Sequence, residues 1–190
     1  VEKMGELGFM GLNVDPVYDG GGMDSVSYCI LIEELSRVDA SAGVIASVNN
    51  SLVCAGIEKF GTEEQKAKFL KPLAGGKKLG AFCLSEPGNG SDASALMTVA
   101  EEHEDHFVIN GTKNWITNGV NADIYLVFAT MDRTAGYRAV RCFFVEKGTD
   151  GFEVGHKEKK LGIRSSDTAS LNFDNVKVPK SNLMGESTRG

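Results

Sequence analysis

The sequence predicts an α+β protein in which an N-terminal α-helical segment is followed by an antiparallel β-sandwich or barrel. Three observations carry the prediction. Apolar residues recur at helical spacing through the first seventy-odd of the 190 residues. Beyond them come many short apolar runs separated by turn residues, with no helical stretch between them, the pattern of a sandwich or barrel. The two textures meet at Ala74-Gly75-Gly76, so the chain is read as two parts, 1–75 and 76–190.

Taken in order, Lys3-Met4-Gly5-Glu6-Leu7-Gly8 reads as the end of a helix already under way. With Val1 in place of a starting Met, the chain reads as a fragment. Tyr18-Asp19-Gly20-Gly21-Gly22 is a flexible loop. Asp24 caps a helix whose Val26, Ile30, Leu31, Leu35 and Val38 form one apolar stripe. The segment from Ala42 to Phe60 is more thoroughly apolar, and its helix is expected to be buried on most sides. Thr62-Glu63-Glu64-Gln65 is a capping box opening a third helix that should end near Pro72. Strands are expected over residues 79–84, 97–101, 107–109, 112–117, 124–130, 142–145, 152–154 and 170–173. Asn110-Gly111, between two alternating runs, predicts a tight hairpin.

Composition narrows the function. A formal charge of −6 with no basic stripe argues against nucleic acid as a partner. The Lys157-Glu158-Lys159-Lys160 cluster reads as a solvated loop. No apolar run approaches the roughly 20 residues that span a bilayer, so no membrane span is expected. Cys29, Cys54, Cys83 and Cys142 show neither CxxC pairing nor zinc spacing and read as buried free thiols in a reducing compartment. His103 and His106 sit among acidic residues, which fits an exposed turn between strands better than a metal site.

The chemistry is concentrated in Cys83-Leu84-Ser85-Glu86-Pro87-Gly88-Asn89-Gly90-Ser91-Asp92. An apolar strand that runs straight into hydroxyls, a carboxylate and glycines places backbone N–H groups where an anion can sit. Gly88 and Gly90 remove the Cβ atoms that would keep a ligand off the backbone. A plain polar turn would look similar in isolation. Farther on comes Lys113-Asn114-Trp115-Ile116-Thr117-Asn118-Gly119, where Trp115 and Thr117 share one strand face and Ile116 points to the other. An aromatic plane beside a hydroxyl suits a flat tricyclic ring.

The order Cys-Leu-Ser-Glu-x-x-Asn-Gly-Ser-Asp-x-x-Ala resembles the flavin-loop signature of the acyl-CoA dehydrogenase family. The likeness extends to the capping-box helix, to Asn110-Gly111-Thr112-Lys113, to Lys160-Leu161-Gly162-Ile163-Arg164 and to residues 173–179, covering essentially the whole chain. The resemblance implies FAD as cofactor. It implies that Phe82, Leu84 and Ser85 line the flavin ring, partly through backbone N–H groups, and that Gly90 belongs to the same loop. Ser91 would lie at the flavin pyrophosphate and near bound CoA, and Trp115, Ile116 and Thr117 would bracket the reactive ring. Phe82 stands where some relatives carry Tyr. Residues 47–52 look like those of the short-chain members, and in the family that helix lines the acyl pocket.

The implied reaction is α,β-dehydrogenation of a short-chain acyl-CoA, with electrons passed to an electron-transfer flavoprotein. An acyl-CoA oxidase or flavin monooxygenase of the same fold, or a non-catalytic scaffold relative, are the alternatives. The family's base is a Glu of a C-terminal helical domain, and no carboxylate among these residues sits in a matching motif, so none is assigned as catalytic. A homotetramer is implied for the full-length protein, cytoplasmic if bacterial and in the mitochondrial matrix if eukaryotic. Glu86 reads as a residue that fixes its own turn, and Arg164 as either an approach to the site or a structural ion pair.

Overall fold

A computed structural model describes residues 1–185, so the last five residues assigned above to the β part lie outside the described residues. The helical part opens with α1 (Glu2–Glu6) and a 3-10 turn at Pro16–Tyr18, followed by α2 (Ser25–Val38). Asp24 caps α2 as expected, its carboxylate accepting from the Ser27 N–H at 2.8 Å. No residue of α2 is fully buried, and Val26, Ile30 and Val38 of its apolar stripe are exposed. Cys29 is exposed with them, against the expectation of buried thiols, whereas Cys54 and Cys83 are buried and Cys142 is half-buried.

The long apolar segment is one helix, α3 (Ala40–Ser47) running through a π-helical stretch, Val48–Cys54, into α4 (Ala55–Phe60). By length and mean hydropathy alone its 21 residues could cross a membrane, though Asn49, Asn50, Glu58 and Lys59 lie among them, and less than half of the most apolar stretch is buried. The low burial departs from the sequence reading, which expected this helix to be buried on most sides. Two buried asparagines tie the helix into the protein instead. The Asn49 amide donates to the carbonyls of Met10 and Leu73 and accepts from the Gly80 N–H. The Asn50 amide donates to the carbonyls of Phe9 and Ala46 and accepts from the Leu12 N–H.

The capping box is present: the Gln65 N–H donates to Thr62 Oγ1, and the Thr62 N–H to Gln65 Oε1. It opens α5 (Glu63–Gln65), which continues through the π-helical Lys66–Leu70 into α6 (Lys71–Ala74). The helix ends at Ala74, near Pro72 as expected, although Pro72 itself lies within it. The proline sits in the first turn after the widened π segment, where its missing N–H breaks no α-helical ladder.

The strands are β1 (Gly80–Cys83), β2 (Val99–Glu102), β3 (His106–Thr117), β4 (Ile124–Thr130), β5 (Val140–Glu146), β6 (Phe152–Lys157) and β7 (Thr168–Pro179). They form one sheet in the order β1-β4-β2-β3-β7-β6, with β5 on the other edge of β4. The α+β class stands, but the sheet is mixed rather than wholly antiparallel. Both β1 and β2 run parallel to β4, β1 along Ile124–Val127 and β2 at Thr130. The residues between them, 84–98, are therefore an excursion thrown out from one edge of β4.

The Asn110-Gly111 hairpin is absent, because β3 runs unbroken through it. The dipeptide forms a bulge: Gly111 has φ +149, and a Cβ there would stand 2.5 Å from Thr98 Oγ1. Asn110 accepts from the Asn175 N–H across the sheet. The tight β2–β3 reversal lies at residues 103–105 instead, where the rings of His103 and His106 stack 4.8 Å apart.

Alternation along β4 separates the core into two layers. Tyr125, Val127 and Ala129 face a core enclosed by the curled sheet. Ile124 and Leu126 face the helices, where Phe69 stacks on Phe144 at 4.2 Å. Phe82 lies on the helix side of β1 and Ala81 and Cys83 on the enclosed side.

Candidate functional site

The excursion after β1 is tied down by a knot of polar groups out of water. Lys113 Nζ donates to Glu86 Oε1 at 2.8 Å and to the Leu84 carbonyl at 3.0 Å. The side chains of Lys113 and Glu86 are 0% and 3% exposed. The Glu86 carboxylate also accepts from the N–H groups of Met97 and Thr98, at 2.7 and 3.0 Å, and from the Asn89 amide. Burial raises the affinity of Glu86 for a proton, but the Lys113 ammonium and the donors of Thr98 and Met97 outweigh it and hold the carboxyl below its ordinary range. Burial pushes the Lys113 ammonium below its ordinary range, against the opposing pull of Glu86. Glu86 thus fixes its loop, as its place before Pro87-Gly88 suggests.

This knot brings together the two segments that the sequence sets thirty residues apart. The Asn114 N–H donates to the Ser85 carbonyl at 2.8 Å, so Ser85 lies against the residue before Trp115. Asn114 and Trp115 fall in a bulge of β3, between the pairs Lys113↔Leu171 and Ile116↔Ala169. Trp115 takes φ +60, a left-handed conformation unfavourable for a bulky residue. The residue is 61% exposed. The strain turns an indole outward that a regular strand would have directed elsewhere.

The other expected residues divide. Thr117 and Ser85 are half-exposed, and Gly90 and Ser91 are exposed on the outer loop. A Cβ at Gly88 or Gly90 would meet no atom within 4 Å, and neither takes a left-handed φ. Nothing within the described chain requires glycine there, which leaves the loop backbone open to a group laid against it. Ile116 is buried in the enclosed core, so its side chain is unavailable and only its main chain can face a ligand. Leu84 is half-buried, with its carbonyl engaged by Lys113. Arg164 is exposed, donates from Nε to the Lys160 carbonyl, and among the described residues has no carboxylate partner.

Phe82 opens onto a separate feature. Its ring packs 4.8 Å from that of Phe128 and lines a cleft of about 310 Å³ between the helix and the sheet. Leu52, Gly56 and Phe60 form the helix wall, and Leu126 and Cys142 belong to the sheet wall. Within 47–52, the reading that tied the segment to an acyl pocket narrows to Leu52, because Asn49 and Asn50 point into the protein. Sequence reading named Lys113 within two motif segments but gave it no role. Its only signal was a lysine on a strand face that otherwise points inward.

The flat exposed indole, the adjacent hydroxyls and the open glycine loop fit a flavin. Comparisons with known proteins give the family. Residues 81–176 match the family model described as Acyl-CoA dehydrogenase, middle domain, and residues 1–77 the one described as Acyl-CoA dehydrogenase, N-terminal domain. The mitochondrial short-chain specific acyl-CoA dehydrogenase of Mus musculus is 49% identical over 190 residues, 100% of this chain and 46% of that protein. The structure of butyryl-CoA dehydrogenase from Megasphaera elsdenii has a TM-score of 0.94 at 44% identity, over 100% of this chain and 50% of that one. That of an acyl-CoA dehydrogenase complexed with FAD from Bacillus anthracis has a TM-score of 0.90 at 40% identity, over 97% of this chain and 31% of that one. The chain spans about half, or less, of the length of these relatives.

Proposed function

This chain belongs to the acyl-CoA dehydrogenase family, and from that premise we propose that it works in the FAD-dependent conversion of short-chain acyl-CoA thioesters to trans-2-enoyl-CoA. The observation that supports this most is the 2.8 Å bond from the Asn114 N–H to the Ser85 carbonyl, which makes one surface of the glycine loop and the tryptophan strand. FAD, when bound, supplies the acceptor for the hydrogen that leaves the β-carbon as hydride. The Trp115 indole covers one face of the ring and keeps water from it. Thr117 offers a hydroxyl to the ring edge, and Leu84, Ser85 and Ile116 contribute main-chain groups. Phe82 adds an apolar contact without the phenol that a Tyr would bring. Gly90 and Ser91 receive the pyrophosphate, with Ser91 shared with the CoA moiety. Leu52, Gly56 and Phe60 bound the acyl chain.

None of these residues is a base. The carboxylate that takes the α-proton is assigned to the family's C-terminal helical domain. Helical residues 1–75 and β residues 76–190 are the working division of the chain. The partners proposed are an electron-transfer flavoprotein and, for the full-length protein, three further copies of itself. The compartment is the mitochondrial matrix in a eukaryote and the cytoplasm in a bacterium. The test is anaerobic mixing of the FAD-loaded full-length protein with butyryl-CoA. Bleaching of the visible flavin band, reversed by electron-transfer flavoprotein, is expected; bound FAD that stays oxidised overturns the reading.

A further inference from the structure

We infer that the Glu86–Lys113 pair is a positioning device that locks Ser85 and Trp115 into one pre-formed wall, a role that rests on the flavin reading above. Stability alone does not explain the pair. Replacing a buried ion pair by apolar groups of similar volume is often neutral or stabilising, because desolvation offsets the attraction. The pair supplies direction instead. The ammonium fixes the Leu84 carbonyl, and the carboxylate fixes Asn89, Met97 and Thr98, so both ends of the excursion from β4 are held by one charge pair. Lys113 is also the last residue of β3 to pair with β7 before the bulge.

Asn114 and Trp115 have no partner residue in β7, so the neighbouring strand does not set their conformation. What holds them lies on the other side: the Ser85 carbonyl, placed by Lys113 through Leu84, accepts from Asn114. A bulky residue at φ +60 persists only where its surroundings over-determine it. Here the knot supplies that constraint. Glu86 and Lys113 act through Ser85 and Trp115, and neither is assigned contact with substrate or ring.

Trp115 is the single tryptophan among the 190 residues, so its fluorescence reports on the wall directly. The experiment compares the parent chain with Lys113→Met and with the neutral pair Glu86→Gln/Lys113→Met, well below their melting temperatures. Far-UV circular dichroism checks the fold, acrylamide quenching reads Trp115, and flavin fluorescence reads FAD affinity. Both variants should keep native circular dichroism while the quenching constant changes and FAD affinity falls about tenfold or more, the range seen when an outer-shell partner is lost. Parent-like quenching and affinity in a folded neutral-pair variant, whatever its melting temperature, would overturn the inference. So would failure of both variants to fold, since the pair would then be a plain requirement of the fold. Should the parent chain and the full-length protein both fail to bind FAD, the flavin reading fails, while the Trp115 quenching still decides whether the pair positions the wall.

Discussion

Lys113 and Glu86 face each other at 2.8 Å, with both side chains out of water, where the excursion from β4 meets the strand that carries Trp115. A charge pair in that position has consequences that ordinary packing would not.

The first is acid sensitivity. Glu86 is held below its ordinary carboxyl range in the folded protein. It therefore contributes stability that is present above its unfolded pKa and is lost as pH falls through the folded value. Urea midpoints should fall steeply on the acid side of the usual carboxylate range. Glu86→Gln should lower stability at neutral pH by about 3 kcal/mol or more, since Lys113 is left buried without its counter-charge. The same variant should flatten the acid limb. Asp24, Glu63, Asp105 and Asp132 are also held low, but at exposed positions where solvent weakens their effect. An acid limb that is unchanged in Glu86→Gln would assign the sensitivity to them.

The second concerns strain. Trp115 occupies a left-handed conformation that costs a residue with a Cβ about 1–2 kcal/mol. Glycine has no such cost, and the exposed indole makes little packing to lose. Trp115→Gly should be more stable than Trp115→Ala by about 1 kcal/mol, and both should bind FAD more weakly than the parent. Thermal unfolding and flavin fluorescence measure the two effects separately. A glycine variant no more stable than the alanine one would mean that the left-handed backbone carries no strain.

The third concerns the cleft. A Cβ at Gly56 would meet only Leu126 Cδ1, at 3.9 Å, so the helix tolerates a methyl there. Gly56→Ala should stabilise the chain by about 0.4–1 kcal/mol by restricting the unfolded state. The same methyl intrudes on the apolar cleft. In the full-length protein it should depress kcat/KM for hexanoyl-CoA more than for butyryl-CoA, and octanoyl-CoA should be a poor substrate even for the parent. Equal losses across the three would place the acyl chain elsewhere.

How far the sequence could be read depended on whether a signal was local. Asp24 and the Thr62–Gln65 box are satisfied within three residues, and both appear where their spacing puts them. Asn110-Gly111 looks local too, yet its geometry is set by Thr98, the residue before β2, and by Asn175 of β7. No feature of the dipeptide distinguishes that bulge from a hairpin. At the site, Ser85 stands in the long motif and Trp115 in a second segment, and the family resemblance singled out both. Lys113 was given no role, because a lysine on a strand is buried only if a carboxylate from elsewhere in the chain comes to meet it.

Two residues of one helix, three positions apart, offer the sharpest contrast for a last prediction. Asn49 is fully buried and bonds to Met10, Leu73 and Gly80, joining the N-terminal segment, α6 and β1. Asn49→Ala leaves those groups without partners in a dry interior, at about 1–3 kcal/mol for each. It should lower the urea midpoint sharply or prevent folding. Leu52 is exposed at the rim of the cleft and holds nothing in place. Leu52→Ala should leave the unfolding free energy from urea titration within about 0.5 kcal/mol of the parent. In the full-length protein it should move acyl preference toward longer chains by widening the cleft mouth. The π-helical turn is what makes the two so different: it keeps Asn49 and Asn50 together on the inner side while Leu52 emerges on the outer one. A large stability loss in Leu52→Ala, or a shifted chain-length preference in a folded Asn49→Ala, would reverse the roles assigned to the two faces.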